Sequence, residues 1–156
     1  MRLKTAMMTD SELDTLLEAF KAKNGFMLDG DHAVRQPPIT ARRLEDIEAK
    51  TGVILPDQYK RHLCRHGSGD FAFSSIYSPD PELEWSLWND YEYMPANRGL
   101  FLPIADNGGG DYYGFRVVNG KCTDPICWAD HESDYAITEP EYADFNTFVA
   151  EVALRT

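Results

Sequence analysis

Residues 112–121 read Tyr-Tyr-Gly-Phe-Arg-Val-Val-Asn-Gly-Lys and contain the strongest short-range structural signal of the chain. Asn119 and Gly120 lie between two largely apolar stretches, and both residue types tolerate the positive φ angles of a type I′ turn. This pattern predicts a β-hairpin with one arm on each side of the turn. Residues 126–128, Ile-Cys-Trp, extend or follow the second arm.

Further strands are predicted before this hairpin. From Phe71 onward the apolar residues recur with a period of two, which is typical of strands rather than helices. This spacing predicts one strand over residues 71–77 and another over residues 83–88. A short apolar run over residues 100–105 predicts a third.

The N-terminal part of the chain has the pattern of a capped helix. Thr9 is followed three residues later by Glu12, the spacing of a capping box, and Gly25 provides a stop. One helical face is apolar and is formed by Leu13, Leu16, Leu17 and Phe20. Residues 26–38 contain glycines and a Pro-Pro pair without a sustained period, so a loop is predicted there.

Two more helices follow this loop. Thr40 is the predicted N-cap of the second helix, and Gly52 is its C-terminal breaker. Pro56 suits the start of the third helix because its missing N–H would be unpaired there anyway, and Gly67 ends that helix.

The chain closes with another amphipathic pattern. Its apolar positions have helical spacing and are Phe145, Phe148, Val149 and Val152. The order is therefore helices, an antiparallel meander and a final helix. No strand-helix-strand alternation calls for a parallel sheet, so the predicted fold class is α+β, a mainly antiparallel sheet flanked by N-terminal helices and a C-terminal helix.

The overall charge restricts the classes of partner. The chain of 156 residues has 26 acidic and 15 basic residues and a formal net charge of −11. Direct binding to nucleic acid or to an anionic membrane is disfavoured because phosphate contact needs clustered Lys and Arg. A basic protein partner would be favoured, although plain solubility is an equally ordinary reason for acidity.

The compartment is predicted to be the cytoplasm. The three cysteines, an odd number, have no disulfide-framework spacing, and the first ten residues lack the apolar core of a signal peptide. No stretch approaches the ~20 apolar residues of a membrane span.

Two local patterns partly resemble ligand-binding motifs, but an ordinary structural role is the simpler interpretation of each. Residues 106–111, Asp-Asn-Gly-Gly-Gly-Asp, lack the Gly-Lys-Ser/Thr of a phosphate loop and the ligand alternation of a calcium loop. A sharp connection stabilised by Asp and Asn side chains is the simpler interpretation. His62 and His66 have the spacing of two metal ligands on a helix, but histidines in a last turn also suit the helix dipole.

Residues 78–93 form an aromatic-acidic segment that favours protein binding. Tyr and Trp among charged residues are typical of interface hot spots. The candidate partner-binding residues are Asp80, Glu82, Glu84, Trp85, Trp88, Asp90, Tyr91, Glu92 and Tyr93. An alternative is an ordinary strand with Leu83, Trp85 and Leu87 turned inward, and both interpretations can hold together.

Two stretches together resemble a known family. The first is Leu44 to Gly67, with Leu55-Pro56 and then Tyr59-Lys60; the second runs from Leu102 through the Gly-rich loop to residues 128–132. Their order and spacing resemble the SMI1/KNR4-like, or SUKH, superfamily over roughly residues 40–150. The family motif falls here on Leu55, Pro56, Tyr59, Gly110, Asp111, Asp130, His131 and Glu132.

The resemblance implies a single α+β domain over residues 1–156, with residues 1–38 as an N-terminal helix and loop outside the matching core. The family is not known for catalysis, and the motif residues are interpreted as fold determinants. The sequence itself shows no local signature of a nucleophile, so no catalytic residue, metal or cofactor is predicted. Most bacterial relatives are thought to be immunity proteins that neutralise toxins, often nucleases, whereas eukaryotic relatives regulate cell-wall assembly.

Three functional hypotheses follow. The first is an immunity protein that occludes a cognate toxin with a basic surface. The second is a regulatory or scaffold module that binds an endogenous protein. The third is a small-ligand or metal-binding domain that uses Asp106, Asp111, Asp130 and His131.

Overall fold

A computed structural model describes residues 7–29 and 34–156. In chain order its regular elements are the helices α1 (Asp10–Asn24) and α2 (Phe26–Asp29), the strand β1 (Arg35–Gln36), the helices α3 (Ala41–Thr51) and α4 (Asp57–His66), the strands β2 (Ser68–Phe71), β3 (Ser74–Ile76), β4 (Phe101–Asp106), β5 (Tyr112–Val118), β6 (Lys121–Asp130) and β7 (Ala136–Ile137), and the helix α5 (Phe145–Phe148). Short 3₁₀ helices cover Leu87–Glu92, Pro95–Asn97 and His131–Ser133, and α5 continues as a π-helical turn over Val149–Ala153. The predicted α+β class is confirmed.

The larger sheet is a four-stranded antiparallel meander in the order β4-β5-β6-β7. Its central hairpin turns at Asn119 and Gly120, whose φ angles are 51° and 78°. Val118 pairs with Lys121, so the loop has two residues, as the Asn-Gly signal predicts. The predicted strand over residues 100–105 corresponds to β4.

The smaller sheet has the order β1-β2-β3 and is also antiparallel. It meets the larger sheet where the Tyr77 N–H donates to the Ile104 carbonyl at 2.7 Å. The single strand predicted over residues 71–77 is wrong, because the chain reverses between Phe71 and Ser74. Ala72 makes this turn with a φ of 54°, a conformation for which Ala is not a typical signal.

Two other predictions need correction. The segment predicted as a strand over residues 83–88 is an irregular turn that leads into a 3₁₀ helix. Ser86 caps that helix by accepting from the Trp88 N–H at 3.4 Å, and this local bond competes with strand pairing. The loop predicted over residues 26–38 contains α2 and β1, and its residues 30–33 lie outside the described residues.

The helix ends agree with the predicted signals. Thr9 and Glu12 form a complete capping box, and Thr40 accepts from the Arg43 N–H at 3.1 Å. Gly52 ends α3 in the left-handed conformation. Gly25 differs, because its backbone stays right-handed and the chain continues directly into α2.

The core lies between the helices and the inner faces of both sheets. Tyr59 of α4 is fully buried, with its ring 5.9 Å from that of Phe115 and 5.5 Å from that of Phe145. Its hydroxyl donates to the Tyr77 carbonyl at 2.5 Å, at the junction of the two sheets. Within the described residues, no helix is long and apolar enough to cross a membrane.

Candidate protein-binding surface

The aromatic-acidic segment begins with a loop held against helix α3. The Arg43 guanidinium donates twice to Asp80, at 3.1 and 2.7 Å, and contacts Glu82 at 3.2 Å. The hydrogen bonds from Arg43 hold the pKa of the Asp80 carboxyl below its usual range. Asp80 is therefore already paired, whereas Glu82 keeps most of its surface exposed.

Ser78 and Ser86 close this loop. They form an isolated parallel bridge, and the Leu87 N–H donates to the Ser78 carbonyl at 2.8 Å. Leu87 is fully buried, so the loop has an anchored end. Trp85, immediately before the anchor, keeps 63% of its surface exposed. The strand alternative placed Trp85 inward, and the structure places it outward.

Trp88 and Tyr91, unlike Trp85, form hydrogen bonds within the protein. The Trp88 indole N–H donates to the Pro79 carbonyl at 2.6 Å, and the Tyr91 hydroxyl donates to the Phe101 carbonyl at 2.5 Å. The Arg98 guanidinium lies over both rings, 5.9 and 5.3 Å from their centroids. These contacts satisfy the polar atoms of both side chains.

Asp90 is a half-buried carboxyl in the same 3₁₀ helix. Burial raises its pKa to about 6, and the nearby Asp106 carboxylate adds to the shift. The Tyr112 hydroxyl, 3.4 Å away, opposes it with a weak hydrogen bond. Among the residues that the structure describes, Asp90 forms no salt bridge, so its negative charge is poorly compensated.

The candidate set therefore divides into two groups. Five members present their side chains to solvent, and they are Glu82, Glu84, Trp85, Glu92 and Tyr93. Four members are paired or largely enclosed, and they are Asp80, Trp88, Asp90 and Tyr91.

The first part of the family motif lies in the core. Leu55 and Pro56 are buried just before α4, and Tyr59 follows one turn later with the contacts described above. Of these three, Tyr59 contacts both the larger sheet, through Phe115, and the end of the smaller sheet, through the Tyr77 carbonyl.

The second part of the motif forms a cluster at the end of β5 and β6. Asp111 accepts from the His131 backbone N–H at 2.9 Å, and its carboxylate is 2.6 Å from His131 Nδ1. The bond with Asp111 raises the pKa of His131 above its usual value. Asp130 accepts from the Glu132 N–H at 3.0 Å and caps the short helix. Glu132 itself is exposed.

Gly110 makes this cluster possible. Its φ angle is 107°, and a Cβ at this position would lie 3.0 Å from the His131 ring. The preceding loop is held by its own side chains, because Asn107 accepts from the Gly109 N–H at 2.8 Å and from the Asp111 N–H at 3.1 Å. The predicted Asp and Asn bonds to the loop backbone are present.

The four residues of the ligand-binding hypothesis do not all bond to the same part of the structure. One ligand atom each from Asp111, Asp130 and His131 lies within 4.8 Å of the others, the only such group within residues 7–29 and 34–156. The Asp106 carboxylate instead accepts from the Gly108 N–H and the Tyr77 hydroxyl.

His62 and His66 pack on Phe71, with ring centroids 4.8 and 5.0 Å from it. Burial lowers the pKa of both imidazoles, that of His66 to about 4. The pair is an aromatic part of the core.

Sequence reasoning missed a partly exposed surface on the small sheet. Asp70 and Ser75 are cross-strand partners there, and Trp85 lies in the same depression as both. Trp85 was a candidate, but a single predicted strand over residues 71–77 could not bring Asp70 opposite Ser75.

The comparisons with known proteins agree with the fold. A family model described as SMI1-KNR4 cell-wall matches residues 41–149, which is more than half of the chain. No curated protein matches the chain.

Proposed function

This chain is a member of the SMI1-KNR4 (SUKH) family, and we propose that it is an immunity-type protein that neutralises a toxin domain by occluding it. The family is known for immunity-type domains. The proposed mode of action is binding alone, without a reaction catalysed by this chain. The proposed site of action is the cytoplasm.

The observation that carries the proposal is the exposure of Trp85 between acidic residues. With 63% of its surface in water, this tryptophan offers a large apolar area that a partner can bury on binding. Glu82 and Glu84 precede it in the chain and are also exposed. An aromatic anchor within a negatively charged surface suits a partner that presents an apolar pocket surrounded by Lys and Arg.

The paired residues of the segment support this arrangement. The Arg43–Asp80 ion pair and the buried Leu87 fix both ends of the loop that carries Trp85. A loop held in this way loses less conformational entropy on binding than a free one. We therefore propose Asp80, Trp88, Asp90 and Tyr91 as positioning residues, and the five exposed members as contact residues.

The net charge of −11 supports the choice of a basic partner. Opposite charges accelerate association and align the two molecules before contact, and salt weakens this effect. The association rate with a basic toxin domain should fall by roughly tenfold or more between low and high salt. The dissociation rate should change much less.

Co-expression tests the proposal directly. Cells that express the toxin domain encoded beside this gene should survive when this chain is present, and the two purified proteins should form a stable complex. If the chain is instead a regulatory module that binds an endogenous protein, we expect no protection and no complex with that toxin. That outcome would refute the immunity function.

A further inference from the structure

Among the residues that the structure describes, the outward face of the small sheet is only partly covered. Along β2 and β3, Phe71 and Ile76 are buried and point inward. The alternate residues Asp70 and Ser75 form a cross-strand pair on the opposite face, because side chains alternate along a strand. Tyr77, two residues after Ser75, continues that face toward the larger sheet.

Two depressions lie on this face and adjoin each other. One has a volume of about 800 Å³ and the other about 300 Å³, and both are lined by Asp70 and Ser75. Because they share Asp70 and Ser75, we treat them as one surface, which we name the sheet-face groove. A groove of this size is comparable to the sites that hold peptide side chains or small ligands.

Exposed apolar side chains stand at both ends of the sheet-face groove. Phe26 and Phe73 line the larger depression, and Val34 and Trp85 line the smaller one. Each of these four side chains has more than two fifths of its surface exposed. Scattered exposed apolar residues are ordinary, but four of them around one groove indicate a contact surface.

The groove is also acidic. Asp70, Asp106 and Glu151 line it, and none of them forms a salt bridge within the described parts of the chain. Among the described lining residues Arg155 is the one cationic side chain, and its guanidinium lies 3.9 Å from the centre of the Phe73 ring. The groove therefore has an excess of negative charge between two apolar ends.

We infer that the sheet-face groove binds a short basic segment of the protein partner, in which Lys or Arg side chains are flanked by apolar residues. The inference rests on the proposed function and names the chemistry of the partner. Cations would meet Asp70 and Glu151, and the apolar flanks would cover Phe73 and Trp85. The Trp85 contact and the groove then belong to one continuous interface.

The dimensions limit the length of that segment. The outward face from Phe73 to Tyr77 spans four residue steps, which is about 13 Å at ~3.3 Å per residue. An extended partner segment of roughly four to six residues covers this distance. The segment can be a loop or an end of the toxin domain.

Two blocked peptides test the inference on the full chain without the toxin. The basic probe is Leu-Lys-Phe-Arg-Leu, and the acidic probe, Leu-Glu-Phe-Glu-Leu, has the same apolar positions. NMR spectra of the isotope-labelled protein are recorded at increasing peptide concentration. The basic probe should shift the Trp85 indole signal and the amide signals of Asp70 and Ser75, and the acidic probe should not.

Two charge-reversal variants distinguish an effect of the groove on peptide binding from an effect of the protein's net charge. Glu151→Lys places a cation in the groove, and Asp124→Lys makes the same change on the exposed side of β6, outside the groove. Glu151→Lys should weaken the basic probe by about threefold or more relative to Asp124→Lys. Unchanged thermal unfolding in both variants shows that the fold is intact.

Three results would overturn the inference. They are shifts of equal size with both probes, equal weakening by both charge reversals, and no shifts at the groove with the basic probe. The toxin-protection assay is scored separately. Protection without groove shifts refutes the groove alone, whereas groove shifts without protection refute the immunity function.

Discussion

The sheet-face groove and the cluster of Asp111 with His131 are both acidic and both reach the surface. Asp106 of the groove accepts hydrogen bonds within the fold, as Asp111 does, but Asp70 and Glu151 are less engaged. The Asp111 carboxylate is hydrogen-bonded to the backbone N–H and to the ring of His131, so it is already paired within the fold. Within the described part of the chain, Asp70 accepts a backbone hydrogen bond from Val34, and neither Asp70 nor Glu151 forms a salt bridge.

This difference shows why acidic density alone does not identify a binding surface. A carboxylate that is satisfied internally gains little from a partner, because its existing bonds must break first. A carboxylate without a cation lowers its energy when a cation arrives. Exposed aromatic side chains also line the groove, whereas the Asp111–His131 cluster packs against the glycine-rich loop.

The largest expected effect concerns the two tryptophans of the aromatic-acidic segment. Trp85→Ala should weaken the toxin complex by about 2 kcal/mol or more and leave the unfolding free energy nearly unchanged, since Trp85 is exposed. Trp88→Ala should lower the unfolding free energy, because it removes the bond to Pro79 and the contact with Arg98. Calorimetry and urea unfolding measure the two quantities. Equal affinity losses in two folded variants would contradict the separation.

Substituting Gly110 tests whether its close approach to the His131 ring stabilises the Asp111–His131 cluster. Gly110→Ala should destabilise the fold by about 2 kcal/mol, because it combines a positive φ with a Cβ 3.0 Å from the His131 ring. Gly108→Ala is the matched control, since its φ is also positive but nothing lies within 4 Å of its Cβ. Urea unfolding of both variants isolates the contact. If the two variants lose equal stability, the close approach to His131 contributes nothing.

Asp90 tests whether the segment contains an uncompensated charge. Its raised pKa of about 6 means that the folded state holds the proton more tightly than the unfolded state, so stability is lost as pH rises through this value. Asp90→Asn cannot ionise and should therefore be more stable than the wild type at pH 8, by on the order of 1 kcal/mol after allowance for solvent screening. The two proteins should differ little at pH 4.

Unfolding curves at both pH values make this comparison. Asp124→Asn, on the exposed side of β6, controls for the loss of one negative charge from the whole molecule. A stability gain of equal size in the control would assign the effect to net charge rather than to burial.

The smallest effect is the pH dependence of the Asp111–His131 cluster. The raised pKa of His131 means that its contribution is present below the ordinary value of 6.5 and is lost as pH rises through the folded-state value. Removing the imidazole should therefore cost less at alkaline pH than at pH 6. NMR titration of His131 and unfolding of His131→Asn measure this, and His66, with a pKa of about 4, is an internal reference. A His131 pKa at or below 6.5 would contradict the prediction.

Much of the fold follows from local sequence signals. The turn at Asn119 and Gly120 needs positive φ angles, and the caps at Thr9 and Thr40 need a side-chain oxygen, so the residues themselves indicate these structures. The candidate surface was predictable only as a segment. Residue types over 78–93 suggested contact residues, but they did not separate Trp85 from Trp88.

The sequence by itself determined the helix caps at Thr9, Thr40 and Gly52 and the central hairpin, because each depends on residues close together in the chain; it also determined the α+β class. Tertiary structure decided the rest. The hairpin at Ala72 has no typical turn residue and is held by a bond from the Phe73 N–H to the Ala153 carbonyl, 80 positions away. That turn brings Asp70 opposite Ser75, and the anchor at Leu87 places Trp85 beside them. Long-range packing therefore created the groove, and no local pattern could have indicated it.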